Sequence, residues 1–184
     1  MIAEFMLQRT KADQVNPVYK KFLQQYPTIK HLSKAKAKSV SKYIGSLGLH
    51  GRYKKFIDAG KFVITKLDGK FPKSQAELKK IPGVGEYVSG AISAVCYNNA
   101  DFVIDSNIAR FINRYYNLGL EGEIRRNKTI IEKAKKLFKF KPQKNLLFAI
   151  LDFTALVCKP TKPICFECPV KRRCKFQDKP VKQK

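Results

Sequence analysis

The sequence predicts an all-α protein, and three observations predict it. Apolar residues recur at helical spacing along almost the whole chain, strand-type alternation is scarce, and the breaks between periodic stretches are short and rich in Gly or Pro. The periodicity places helices over roughly 2–13, 17–25, 36–46, 52–67, 74–80, 86–97, 106–117, 128–138 and 143–157. Asn16-Pro17 parts the first two, because proline removes a ladder donor and restricts the residue before it. Gly48 to Gly51 precedes the helix at 52, Gly69 to Pro72 the one at 74, and Pro82 to Gly85 the one at 86. Gly119 to Gly122 and Pro142 mark the last two breaks, and from Lys175 the chain reads as a frayed basic tail. There is no internal repeat and no low-complexity linker.

Composition narrows the function classes. A chain of 184 residues with 44% hydrophobic content builds a core, as one domain or two small ones. Thirty-eight Lys and Arg face fourteen Asp and Glu, a net charge of +24. Such an excess opposes compaction and points to a polyanion, most often nucleic acid, although a lysine-rich surface explains part of it. The charge is spread along the chain, which disfavours a membrane-surface helix. No apolar run is long enough to span a bilayer, and Glu4 interrupts the only short apolar stretch at the start. The expectation is a soluble intracellular protein of cytoplasm or nucleoid, or of the nucleus in a eukaryote.

Four of the five cysteines lie in CKPTKPICFECPVKRRC, with six, two and five residues between them. An intracellular setting disfavours disulfides. Zinc sites pair their thiolates in two close couples, whereas here a wide gap is followed by the tight pair Cys165 and Cys168 and then Cys174. A [4Fe–4S] cluster on Cys158, Cys165, Cys168 and Cys174 is expected, with zinc as the alternative. Lys159 and Lys162 stand in the first loop, stiffened by two prolines and within reach of phosphate. Cys96, in the apolar stretch AISAVCYNN, is expected to be buried.

Two further stretches carry chemistry. IPGVG joins two helices, with Pro82 fixing the entry and Gly83 and Gly85 letting the backbone, Val84 included, approach a partner; an ordinary helical turn reads the same way. The helix that follows opens with free amides, which suits a phosphate. Asp105 ends an apolar run at the mouth of the next helix, with Asn107 and Arg110 on its first turns. An Asp there is ordinarily an N-cap; Asn107 and Arg110 either orient it or touch a nucleic-acid backbone.

Taken together, IPGVG, the Asp twenty residues after its last glycine, and C-x6-C-x2-C-x5-C resemble the endonuclease III superfamily of helix-hairpin-helix DNA glycosylases, over nearly the whole chain. The resemblance implies two helical lobes: a six-helix barrel over 5–118 with the hairpin at about 74–97, and an iron–sulfur cluster domain over 119–184 together with residues 1–4. It implies a monomer that binds double-stranded DNA containing a mismatched or damaged base, bends it across the cleft between the lobes and flips the base out. Asp105 takes the place of the family's essential aspartate. Where family enzymes carry a lysine that makes a Schiff base and cuts the strand, this chain has Tyr87, so a monofunctional enzyme is expected. A tyrosine there, and the opening AEFMLQRT, are similar to the thymine–guanine mismatch glycosylases of archaeal type. By the same resemblance Glu4 contacts or protonates the flipped base, Tyr87 lines the pocket, Arg9 fills the vacated space, and Leu49, His50 and Arg52 press the opposite strand. An adenine glycosylase acting opposite 8-oxoguanine or G is the alternative, and a non-catalytic iron–sulfur DNA-binding module is the second. Family members carry a further helical segment ahead of AEFMLQRT; here Glu4 stands three residues from the start, so its role requires that the first turn not fray.

Overall fold

The computed structural model describes residues 1–8, 10–48 and 51–178. Among them are ten α-helices: α1 (Ile2–Leu7), α2 (Ala12–Gln25), α3 (Ile29–Ser33), α4 (Ala37–Ile44), α5 (Tyr53–Lys66), α6 (Gln75–Leu78), α7 (Glu86–Tyr97), α8 (Ser106–Tyr115), α9 (Lys128–Leu137) and α10 (Gln143–Leu156). Short 3-10 turns complete the chain, including Ile124–Arg126, two in the cysteine-rich segment and one at Lys175–Asp178, where a frayed tail was expected, and no strand occurs among the described residues. The fold is all-α, as the periodicity requires.

Three helices differ from the sequence expectation: the first, placed over 2–13, ends at Leu7, where Gln8 leaves the helical region at ψ 104°. α2 runs through Pro17 without a break. The bond that proline removes belongs to the carbonyl of Asp13, which is exposed, so water replaces the partner and the helix continues. α3 had no counterpart in the expected set. It is a single turn capped by Thr28, whose hydroxyl oxygen accepts from His31 N at 3.4 Å.

The chain forms two compact units, residues 1–89 and 90–184, which divide inside α7. The first is built on aromatic packing: Phe5 meets Phe56 edge-on at 5.3 Å between ring centres, and Phe22 lies 4.9 Å from Tyr26 and 5.6 Å from Phe56. Phe5, Met6, Phe22 and Phe56 are all buried, so even six-residue α1 is anchored by two core side chains. Its first turn is closed by Phe5 N–H donating to Met1 O at 3.0 Å. α3 crosses α5 at Gly60, where an added Cβ would lie 3.1 Å from Ser33 N, so a larger residue would have to push the helices apart by a few tenths of an ångström.

In the second unit Ile108, Ala109 and Ile112 of α8 are buried, as are Ile130 and Ala134 of α9 and Leu147 and Ile150 of α10. A buried glutamine fastens the chain leading to Asp105. Gln143 Oε1 accepts from Ala100 N at 2.6 Å, and its Nε2 donates to Ala100 O at 2.8 Å and Phe138 O at 2.6 Å. Cys96 is exposed, contrary to expectation. Residues 88–94 of α7 are buried on nearly every side, but its last turn emerges from that packing.

Candidate functional site

The hairpin is a defined piece of backbone. Val84 N–H donates to Ile81 O at 3.0 Å, Pro82 follows Ile81, and Gly83 has φ +81°, the pattern of a type II turn. Ile81 and Val84 are buried beneath it, so Val84 offers a partner only its backbone. The two glycines serve different ends. Gly83 combines positive φ with close neighbours, since a Cβ there would lie 3.2 Å from Lys55 Cβ and 3.3 Å from the Phe5 ring. Gly85 has neither constraint: its φ is not positive, and a Cβ would meet nothing within 4 Å. The fold therefore does not require glycine at 85.

α7 begins at this point, its ladder opening with Ser89 N–H to Gly85 O at 3.0 Å, which leaves the preceding amides outside it. Glu86 ties the hairpin arms together. Its carboxylate accepts from Lys79 Nζ at 2.7 Å and from Gln75 Nε2 at 3.2 Å. Lys79 is therefore engaged within the hairpin. Tyr87 stands half-buried in the first turn of α7. Glu4, also half-buried, has its carboxyl pushed above the usual carboxylate range by burial, with the N-terminal ammonium pulling the other way.

In the second unit Asp105 caps α8. Oδ1 accepts from Ile108 N at 2.7 Å and Oδ2 from Asn107 Nδ2 at 3.0 Å. Asn107 Oδ1 in turn accepts from Arg110 Nη1 at 2.8 Å. Arg110 continues inward, donating from Nη2 to Thr154 O at 3.0 Å and Cys158 O at 2.9 Å, and from Nε to Cys158 O at 3.3 Å. Of the two roles the sequence allowed Asn107 and Arg110, these bonds are those of orienting groups.

One turn further along α8, Arg114 grips the cysteine-rich segment. It donates to Lys159 O at 2.5 Å and Pro160 O at 2.7 Å, reaches Cys158 Sγ at 3.8 Å, and lies 5.0 Å from the Phe176 ring centre. The sequence reading missed Arg114, although its position four residues after Arg110 puts both on one helical face. Gln143 was missed as well, since nothing local announces its partners. Lys159 is half-buried with its carbonyl taken by Arg114, while Lys162 is exposed at φ +50°. Arg52 donates from Nη1 to Gln8 O at 3.1 Å, joining the start of α5 to the end of α1. Arg9, Leu49 and His50 lie outside the described residues.

Cys158, Cys165, Cys168 and Cys174 line one cavity with Phe111, Arg114, Phe153 and Phe176. Burial and then the thiols of Cys168 and Cys158 push Cys165 upward, with Arg114 opposing; burial also raises Cys174, opposed by the Phe176 backbone. Thiols that hinder one another's ionisation in a half-enclosed space are ones a cationic group would relieve. Among the described residues no three His, Cys, Asp or Glu converge closely enough to grip a single ion. No described helix is long and apolar enough to cross a membrane.

Comparison with known proteins places this geometry. Residues 2–146 match the HhH-GPD superfamily of base excision DNA repair proteins. The chain is 32% identical over 174 residues to an adenine DNA glycosylase of Buchnera aphidicola subsp. Baizongia pistaciae, covering 95% of this chain and 49% of that protein. It is 28% identical over 180 residues to a thymine/uracil-DNA glycosylase of Methanothermobacter thermautotrophicus, covering 97% and 81%. The chain thus spans about half of the first relative and about four-fifths of the second. The solved structure of a thermostable thymine-DNA glycosylase superposes with a TM-score of 0.86 at 28% identity, over 95% of this chain and 81% of that one.

Proposed function

The chain belongs to the HhH-GPD superfamily of base excision DNA repair proteins, and we propose that it is a monofunctional DNA glycosylase, releasing thymine or uracil mispaired with guanine from a flipped nucleotide. The observation that carries this reading is Asp105. Its carboxylate is held from both oxygens, by the Ile108 amide and the Asn107 side chain, so it is fixed before any substrate arrives. A preorganised negative charge stabilises the positive charge that grows on the sugar as the base departs, and costs no reorganisation at that moment.

The remaining roles follow from the same reaction. Glu4, its carboxyl raised by burial, is the proton donor to the leaving base. Tyr87 lines the base pocket; as it has no amine, no Schiff base forms and the strand is left uncut. The turn at Pro82 to Gly85 presents backbone amides to a phosphate, with Gly85 leaving room for its approach. Lys162 and Lys159 add charge from the cysteine-rich loop, and Arg9, Leu49, His50 and Arg52 act on the space and strand opposite the flipped base. The barrel is assigned to 5–118 and the cluster domain to 119–184 with 1–4. The protein acts inside the cell as a monomer on double-stranded DNA.

The four thiols fit a [4Fe–4S] cluster. All four line one cavity, and a donor set of four sulfurs spaced six, two and five residues apart suits four irons with one thiolate each. When bound, the cluster supplies a crosslink for a segment that has little helical structure of its own.

A single-turnover assay on matched duplexes with T·G, U·G, A opposite 8-oxoguanine and A·G, followed by alkali to reveal abasic sites, tests the reading. Release from T·G and U·G supports it. Release of adenine moves the protein to the alternative that its 32% identical relative favours. No release by cluster-loaded protein that binds duplex DNA would leave the non-catalytic module.

A further inference from the structure

We propose that the open groove along α4, lined by Lys38, Ser41, Lys42 and Tyr53, seats a stretch of DNA phosphodiester backbone, as a binding surface separate from the hairpin and from Asp105; this rests on the DNA reading above. The first observation is one of charge. From Gln14 to Ile57 the chain runs for 44 residues without an Asp or Glu, while carrying ten Lys and Arg. A surface that serves only solubility mixes both signs, and like charges four apart on a helix destabilise it slightly. Here Lys38 and Lys42 stand at that spacing on α4, and among the described residues no acidic side chain bridges either.

The second observation is that the groove is built. The opposite side of α4 is locked to α2: Ser39 Oγ is hydrogen-bonded to Tyr26 OH at 2.7 Å, and Tyr43 OH donates to Gln25 Oε1 at 3.1 Å. Val40 and Ile44 are buried beneath. With that side fixed, Ala37, Lys38, Ser41, Lys42 and Gly45 form one outward row, and Tyr53 from α5 supplies the far wall. Lys38 and Lys42 are exposed, while Ser41 and Tyr53 are half-buried. Two ammonium groups, two hydroxyls and small residues at Ala37 and Gly45 make a channel for a polyanionic backbone. Ammonium and hydroxyl donors suit phosphate oxygens whatever the bases, so the contact is expected to be independent of sequence.

Counterion release measures such contacts, because each phosphate neutralised on B-DNA adds about 0.9 to the slope of log K against log salt. The experiment titrates duplex binding by the full, cluster-loaded protein over a salt series. It compares wild type with Lys38→Gln/Lys42→Gln, and with Lys20→Gln/Lys21→Gln, which removes equal charge from the exposed surface of α2. The groove variant should lower the slope by about 1.8, two phosphate contacts at the value above, and the α2 variant by less than half as much. Equal changes in both variants would show a bulk charge effect and overturn the proposal, as would an unchanged slope in the groove variant. If wild type itself fails to bind duplex DNA, the glycosylase reading falls and the groove with it. If wild type binds with a steep slope that survives the groove variant, the groove alone is refuted.

Discussion

Asn107 holds Asp105 with the amide end of its side chain, at 3.0 Å, because Arg110 occupies the other end at 2.8 Å. The guanidinium has only donors, so the Asn107 oxygen must face it and the amide nitrogen is turned toward the carboxylate. The orientation of the aspartate is therefore set two bonds away, by an arginine whose other nitrogens are fixed on the carbonyls of Thr154 and Cys158. Asp105→Asn keeps an N-capping side chain, so the fold survives. Loss of the charge is expected to slow base release by about 10²- to 10³-fold or more, with duplex affinity retained. A wild-type single-turnover rate in this variant would refute the mechanism.

The hydrogen bonds of Arg110 run to Asn107, Thr154 and Cys158, so its expected role is to position Asp105 through Asn107. Arg110→Lys keeps a charge but loses the fork that spans three acceptors. The single-turnover rate at saturating enzyme should fall by roughly tenfold, the scale on which outer supporting contacts act in comparable sites. Binding to an uncleavable duplex should be unaffected. Parallel losses of rate and affinity would mean that Arg110 meets the DNA directly.

Gly83 and Gly85 separate fold from function within one turn. Gly83→Ala meets both a left-handed φ and a 3.2 Å contact, and should cost about 1–2 kcal/mol or more, seen as a lower Tm. Gly85→Ala meets open space and should leave Tm nearly unchanged while weakening duplex binding. Strong binding by Gly85→Ala would remove the hairpin from the interface.

Burial raises the carboxyl of Glu4 in the folded chain above its unfolded value. A group raised in this way contributes stability that is present below the unfolded pKa and lost as pH climbs through the folded one. Glu4→Gln should therefore be more stable than wild type at neutral pH, with the gap closing as pH falls below the unfolded value. The same variant should lose base release most where wild-type Glu4 is still protonated. Thermal melts and single-turnover rates across pH test both, and a stability gap independent of pH would place Glu4 in solvent.

Tyr87→Lys puts an amine in the first turn of α7. Borohydride should trap a covalent adduct with substrate DNA from this variant and none from wild type. No adduct from a variant that still releases base would place residue 87 away from the sugar.

What was legible in the sequence is what short range decides. The cysteine spacing, the turn chemistry of Ile81 to Gly85 and the carboxylate at the mouth of α8 are each set within about twenty residues, where chain geometry leaves few alternatives. Helices with strong periodicity followed for the same reason. Pro17 misled because its cost depends on whether the Asp13 carbonyl reaches water, and Cys96 because burial depends on what packs over the last turn of α7. The acid-free run from Gln14 to Ile57 was there to be read, but which of its lysines face one groove depends on how Tyr26 and Gln25 lock the rotation of α4.

By itself, then, the sequence determined an all-helical chain, a thiol cluster, a tight glycine turn and an aspartate that caps a helix. The tertiary structure decided what those parts are tied to: Arg110 and Arg114 of α8 closing on carbonyls 44 to 48 residues away, and Gln143 clamping Ala100 across 43. Those partners are backbone oxygens, which every residue carries alike, so no pattern of side chains marks them; only the folding of the chain brings one particular carbonyl within reach of one particular donor.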